Sequence, residues 1–233
     1  MGNNINRIHN ANRYWFNMSA RRIPKNYRNV TGIAAHRKSK DIAAFESTLE
    51  RDFLSLIEFS PDVESFEVQP VTIEWRNKAG STRRYTPDVL VHFTHKANRP
   101  PTLFEIKYRD DLSENWKRLK PKFKQAISFA KGQDWRFKIA SEVEIRTPLL
   151  KSATFLLPFT RQGPGPEAYM ELLDTKLKEA RQTTPRQLLQ AIFDDEWNQA
   201  KLLPTLWYLV GTFQIGCELS KPLTMKSPIW YLP

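Results

Sequence analysis

Thr86-Pro87-Asp88 leads into the apolar run Val89-Leu90-Val91, and Glu105, 17 positions beyond Asp88, opens the triplet Glu105-Ile106-Lys107 after Leu103-Phe104. Both segments read as strands, one over residues 83–93 and one over 102–108, joined by a polar stretch short enough for a hairpin connection. Side chains alternate faces along a strand, so Glu105 and Lys107 point one way while Phe104 and Ile106 point to the core. Asp88 can project from the neighbouring strand toward the same side. Carboxylates held this close raise each other's pKa, and a hard, oxygen-seeking cation relieves the conflict. Mg²⁺ is the natural candidate, with Mn²⁺ as a substitute. Such an ion would lower the pKa of a water and stabilise charge on a phosphate. Lys107 would orient or help deprotonate that water and neutralise charge in the transition state. The plain alternative is a surface carboxylate pair with a salt-bridging lysine, but Pro-Asp-Val-Leu-Val and Leu-Phe-Glu-Ile-Lys are too apolar for an exposed hairpin.

The elements that must position these residues follow from periodicity. Ile42, Phe45, Leu49, Phe53 and Leu56 recur at three- and four-residue steps, which predicts a helix over 41–59 ending at Ser60-Pro61-Asp62. That helix offers two further carboxylates, Glu46 and Glu50, four residues apart at one border of the apolar stripe. Helical geometry does not choose between them, and Glu58 lies on the opposite side. Residues 63–75 read as one or two strands interrupted near Pro70. Ser113 caps a predicted helix to about residue 131, with a kink or break at Pro121; residues 135–140 form a core strand and 142–147 an extended edge. Asp110, Asp111 and Glu114 are expected as solvent-facing charges at that helix start. Helix, three strands in meander, helix and strand make a mixed sheet flanked by helices, an α/β or α+β sandwich.

A second unit begins near Gly163-Pro164-Gly165-Pro166. It reads as helices over 167–181, 184–193 and 203–211, then an alternating strand over 213–219, a loop, and a return strand over 229–232. That succession is a winged-helix pattern. The expected organisation is a basic arm over 1–40, a catalytic domain over 41–160 and a winged-helix-like domain over 166–233. The third helix carries Trp207 and Tyr208 but no basic residue from 205 to 210, so it suits protein docking or the core better than base reading; Lys221 and Lys226 in the following loop could touch phosphates.

The formal net charge of +11 is concentrated at one end. Arg7, Arg13, Arg21, Arg22, Lys25, Arg28, Arg37, Lys38 and Lys40 fall within residues 1–40, which hold no acidic residue; the rest of the chain carries 27 basic and 25 acidic side chains. Tyr14, Trp15, Phe16 and Tyr27 interleave with the charges, a composition suited to a phosphate backbone. A solvated basic tail is the alternative. The single Cys217 excludes a disulfide within the chain and a multi-cysteine zinc site, and the four histidines have no metal-ligand spacing; of these, His92 is the one expected to border the site, near Asp88. No phosphate-binding glycine loop and no Gly-x-Ser-x-Gly elbow is present. With no run of about 18 apolar residues and no apolar leader at the N-terminus, a cytoplasmic protein is expected.

Residues 45–139 resemble the TnsA endonuclease family, whose core is the restriction-endonuclease-like PD-(D/E)xK fold. The resemblance runs through Ser47-Thr-Leu-Glu-Arg-Asp-Phe-Leu-Ser-Leu56, Gln69-Pro70, Thr86-Pro-Asp-Val-Leu-Val91 and Glu105-Ile-Lys107. In the family pattern the helix glutamate follows a leucine and precedes a Phe-Leu pair, which maps onto Glu50. Asp88 and Lys107 match; the best-known member has glutamine where this chain has Glu105. The resemblance implies a Mg²⁺ site made by Glu50, Asp88, Glu105 and the Ile106 carbonyl. It further implies a bacterial subunit that cuts the 5′ strands at transposon ends. A TnsB-like DDE transposase then cuts and joins the 3′ ends, and the C-terminal region contacts it and a TnsC-like AAA regulator. A stand-alone restriction or repair nuclease, and a silent DNA-binding assembly subunit, are the other readings.

Overall fold

The computed structural model describes residues 32–34, 36–40 and 43–233. The first elements are a short antiparallel pair, β1 (Gly32–Ala34) and β2 (Ala43–Phe45), followed by α1 (Thr48–Phe59). The helix expected from residue 41 thus starts later, because the Ser47 hydroxyl accepts the Glu50 N–H and caps it. Of the expected apolar stripe, Leu49 and Phe53 are buried on α1, Leu56 is partly buried, Phe45 joins them from β2 and Ile42 lies outside the described residues; Leu54 and Ile57 widen the buried face.

The main sheet has the order β3 (Val63–Val68), β6 (Val89–Phe93), β7 (Thr102–Ile106), β8 (Arg136–Ala140). The first three strands pair antiparallel and β8 runs parallel to β7. A parallel neighbour needs a long crossover, supplied by the 24-residue α2 (Arg109–Gly132). β4 (Ile73–Arg76) and β5 (Thr82–Tyr85) form a separate hairpin between β3 and β6. The single strand expected over 83–93 is therefore two, because Pro87 has no N–H to give a ladder. Asp88 sits in the break, not inside a strand.

Helices cover both faces of the sheet. Val89, Val91 and Ile106 pack with α1, while Leu90 and Leu103 pack with Leu119, Phe123 and Ala126 of α2 and with Tyr85 and Ile73 of the hairpin. Strands buried on two faces read as continuous apolar runs, which explains Val89-Leu90-Val91. α2 begins at Arg109, ahead of the Ser113 start expected, and continues through Pro121.

Residues 142–147 are not an extended edge. Ser141 and Glu144 form a reciprocal capping box that starts α3 (Glu142–Ile145). α4 (Pro148–Gln162) then runs to the glycine-proline linker, with Pro148 in its first turn and Pro158 inside it. It packs on α1 and contributes Ala153, Leu156 and Leu157 to a core shared with the C-terminal elements.

Those elements are α5 (Glu167–Ala180), β9 (Gln182–Thr183), α6 (Pro185–Gln190), α7 (Glu196–Gly211), β10 (Ile215–Cys217) and β11 (Ile229–Tyr231). β11 pairs antiparallel with both β10 and β9. α7 starts well before Leu203-Pro204, because Asp195 caps it by accepting the Asn198 N–H. The alternation from 213 shortens to three residues, as Phe213 takes φ +61° in the turn after α7. Gly165 and Gly211 mark close approaches: a Cβ on the first would lie 2.0 Å from Thr205, and on the second 2.6 Å from Thr160 of α4. Among the described residues no helix is long and apolar enough to cross a membrane.

Candidate active site

Asp88 is fastened at three points, two on β7 and one at the end of β3. Its N–H donates to the Phe104 carbonyl at 3.0 Å, its carbonyl accepts the Gln69 N–H at 2.8 Å, and its Oδ2 accepts the Ile106 N–H at 2.6 Å. Gln69 turns into the left-handed region at the end of β3 (φ +50°) to make its bond. The carboxylate therefore lies against the centre of Glu105-Ile106-Lys107. Lys107, one residue past β7, is aligned by its N–H bond to the Ala140 carbonyl at 3.1 Å.

Strand alternation separates the side chains as expected, with one addition. Ile106 joins the α1 core and Glu105 faces the opposite layer, but that layer is itself covered by α2 and the hairpin. Glu105 is only 1% exposed. Its Oε2 accepts the Tyr85 hydroxyl at 2.6 Å; its Oε1 accepts Lys122 Nζ at 2.8 Å and lies 3.5 Å from Lys107 Nζ. Lys107 also donates to the Ile106 carbonyl at 3.2 Å. Tyr85 and Lys122 were not anticipated. They come from a hairpin and a crossover helix whose docking no local pattern announces.

Glu50 lies in the first turn of α1, where one carboxylate oxygen accepts the Glu46 N–H at 2.8 Å and the other the Ser47 hydroxyl at 3.0 Å. Glu46 precedes the cap, so the two are not helical neighbours. Glu46 Oε1 instead faces Gln69 Nε2 at 3.5 Å. An unforeseen brace ties this turn to the end of β7. Arg146 donates to Thr48 Oγ1 (3.1 Å), Tyr108 Oη (3.0 Å) and Asp52 Oδ2 (3.1 Å), and stacks over the Tyr108 ring.

The charges are mutually perturbed. Burial, reinforced by Glu105 and Glu50, holds the Asp88 carboxyl well above the usual range, despite Lys107 and the Ile106 N–H. Burial also raises Glu50, partly offset by the Glu46 N–H, Ser47 and Lys107. Lys107 is pulled down by burial, yet Asp88, Glu105 and Glu50 together outweigh that and keep its ammonium above the usual value. Burial, with Glu105 and then Asp88 beside it, pushes the Tyr85 phenol up.

This excess of oxygen donors and negative charge fits a hard divalent cation. Among the described residues no three Asp, Glu, His or Cys side chains gather closely enough to hold a metal. The oxygens nearest that charge are those of Asp88, Glu105 and the Ile106 carbonyl, and Glu50 acts on Asp88 by its charge.

Of the nine arm residues singled out for DNA, Arg7, Arg13, Arg21, Arg22, Lys25 and Arg28 lie outside the described residues. Arg37, Lys38 and Lys40 make contacts within the chain. Arg37 donates to the Thr160 and Arg161 carbonyls at the end of α4, Lys38 to the Ser60 carbonyl, and Lys40 to Glu67 at 2.7 Å. The strand-like segment 38–40 bonds to Phe66 and covers the β3 edge. Glu58, buried beside it, pairs with His36 and Arg161. His92, expected to border the site, bonds Glu67 of β3 at 3.1 Å. Asp110, Asp111 and Glu114 are exposed, as expected. Trp207 is buried against Phe155, so it belongs to the core.

Residues 60–142, which carry Tyr85, Asp88, Glu105, Lys107 and Lys122, match the family model for the TnsA-like endonuclease N-terminal domain. This segment is similar to that TnsA-like nuclease domain. Glu50 lies just outside the matched residues of that TnsA-like segment. No curated protein matches the chain.

Proposed function

We propose that this TnsA-like chain is a Mg²⁺-dependent endodeoxyribonuclease that cleaves the 5′ strands at transposon ends as a subunit of a heteromeric cut-and-paste transposase. The observation that carries the nuclease reading is the convergence of Asp88, Glu105 and Lys107, with the Ile106 N–H clamped on Asp88 at 2.6 Å. Asp88, Glu105 and the Ile106 carbonyl would hold the ion, with Glu50 as an outer or additional ligand. When bound, the ion would supply an acidified water and charge stabilisation on the phosphate. Lys107, kept protonated by the surrounding carboxylates, is suited to neutralise charge on a phosphate oxygen and to orient the water.

The heteromeric context rests on the TnsA likeness. Specificity would then come from a TnsB-like DDE transposase and a TnsC-like AAA ATPase. The C-terminal order α5-β9-α6-α7-β10-β11, with β11 between β9 and β10, supports the winged-helix reading of residues 166–233. Thr205, Leu206, Leu209 and Val210 of α7 are buried, which favours a partner-docking unit over a base-reading helix. The basic residues from Arg7 to Arg28 would track transposon-end DNA.

The test is Mg²⁺-dependent cleavage of transposon-end DNA by the purified chain, with and without the element's transposase subunit. Cutting that appears only with the partner supports the proposal. Efficient cutting of unrelated DNA by the chain alone would favour a stand-alone nuclease, and no cutting in either case a silent assembly subunit.

A further inference from the structure

Lys122 differs from the other lysines of α2. Lys117, Lys120 and Lys124 are exposed, whereas the Lys122 side chain is 24% exposed and its ammonium is placed between aromatic rings and a carboxylate. Nζ lies 4.4 Å from the centre of the Tyr85 ring, 5.2 Å from that of Phe123, and 2.8 Å from Glu105 Oε1. The same oxygen has Lys107 Nζ at 3.5 Å, and Tyr85 occupies the other oxygen. A carboxylate oxygen offers two lone pairs. A divalent cation that uses Oε1 must share it with the bonded Lys122 ammonium and meets the Lys107 ammonium close by.

The two lysines are not equally held. Lys107 also bonds the Ile106 carbonyl and feels the charges of Asp88 and Glu50. Lys122 is anchored to Glu105 and two ring faces, so it is the ammonium that yields. We propose that Lys122 is the resident counter-cation of this centre: it positions Glu105 and competes with an entering divalent ion for Oε1, and so sets the metal affinity. The proposal rests on the nuclease reading above.

The experiment is calorimetric titration of the full-length, DNA-free protein with Mn²⁺ and Mg²⁺. The variants are Lys122→Met, Lys122→Gln and Lys122→Arg, with Asp88→Ala as the site control and circular dichroism as the folding check. Removing the competing charge should tighten metal binding about tenfold in Lys122→Met and Lys122→Gln, while Lys122→Arg stays within about twofold of wild type. Lys122→Gln keeps a hydrogen-bond donor for Glu105 and covers the case in which Lys122→Met does not fold. Unchanged or weaker binding in a folded, charge-removing variant would overturn the proposal while leaving the nuclease site standing. Metal binding that ignores Asp88→Ala would overturn the site itself, and the proposal with it.

Discussion

Asp88 Oδ2 accepts the main-chain N–H of Ile106 at 2.6 Å, so the carboxylate from the β5–β6 break is registered directly on the middle residue of Glu105-Ile106-Lys107. Main-chain bonds hold Asp88 at both ends as well, to Phe104 and Gln69. The spacing of the two motifs is thereby converted into one site, in which burial and neighbouring carboxylates raise Asp88. A charged cluster of this kind is costly to fold around, and its place at the ends of the two central strands is what the proposed cation-dependent centre would use.

The charge of Glu50 acts on both Asp88 and Lys107. Glu50→Gln should lower cleavage by about a hundredfold, while Glu46→Gln should stay within about fivefold of wild type. Single-turnover cleavage rates at saturating Mg²⁺ distinguish the two. Equal losses would return Glu46 to the site.

Arg146 braces the first turn of α1 to Tyr108, next to Lys107. The pair network is largely exposed, so Arg146→Ala should cost less than about 1 kcal/mol of stability. It should still lower the cleavage rate roughly tenfold, with DNA affinity unchanged, because Glu50 loses its placement. Denaturant unfolding and a rate-against-affinity comparison separate these effects; Arg146→Lys should recover only part of the rate.

Glu58 supplies a stability test away from the chemistry. Burial would raise its carboxyl, but His36 and Arg161 override that and hold it at about 2. A depressed folded value stabilises the protein above the ordinary glutamate pKa of about 4.3, and the benefit is lost as pH falls from there through about 2. Glu58→Gln should therefore cost roughly 2–4 kcal/mol near pH 7, a fall of about 5–12 °C in Tm, by leaving Arg161 without its buried partner. The difference from wild type should close toward pH 2. A constant difference across pH would show that packing, not charge, is responsible.

The basic arm divides into two parts with different consequences. Deleting residues 1–31 removes Arg7, Arg13, Arg21, Arg22, Lys25 and Arg28 but keeps the docked Arg37, Lys38 and Lys40. If all six contact phosphates, the log–log salt slope of DNA binding should fall by about 5, with the melting temperature unchanged. Deleting residues 1–40 should also destabilise the fold, since it strips the β3 edge and the contacts to Ser60 and α4. A salt slope that does not move on the shorter deletion would remove the arm from DNA binding.

Residue patterns made the nuclease half largely readable because its determinants are local: alternation around Asp88 and Glu105, and the apolar stripe of α1. Errors fell where a single side chain decides an element. The Ser47 cap shortened α1, Pro87 split a strand, and the Ser141–Glu144 capping box turned an expected edge into a helix. α4 was hidden by Pro148 and Pro158, and the first half of α7 by Pro204, although packing tolerates a proline inside each helix. Tyr85 and Lys122 could not be found beforehand. Their bonds to Glu105 arise only when a hairpin and a crossover helix close over the same sheet face.

The central claim is that Asp88 and Lys107 belong to the centre that cuts the 5′ strand. Its most direct test is strand-resolved cleavage of end-labelled transposon-end DNA, with Mg²⁺ and the partner transposase present, comparing wild type with Asp88→Ala and Lys107→Ala. The account predicts loss of the 5′-strand nick by about a thousandfold in both variants, in folded protein, while the partner's 3′-strand cut persists. A 5′ nick undiminished in either variant would contradict it.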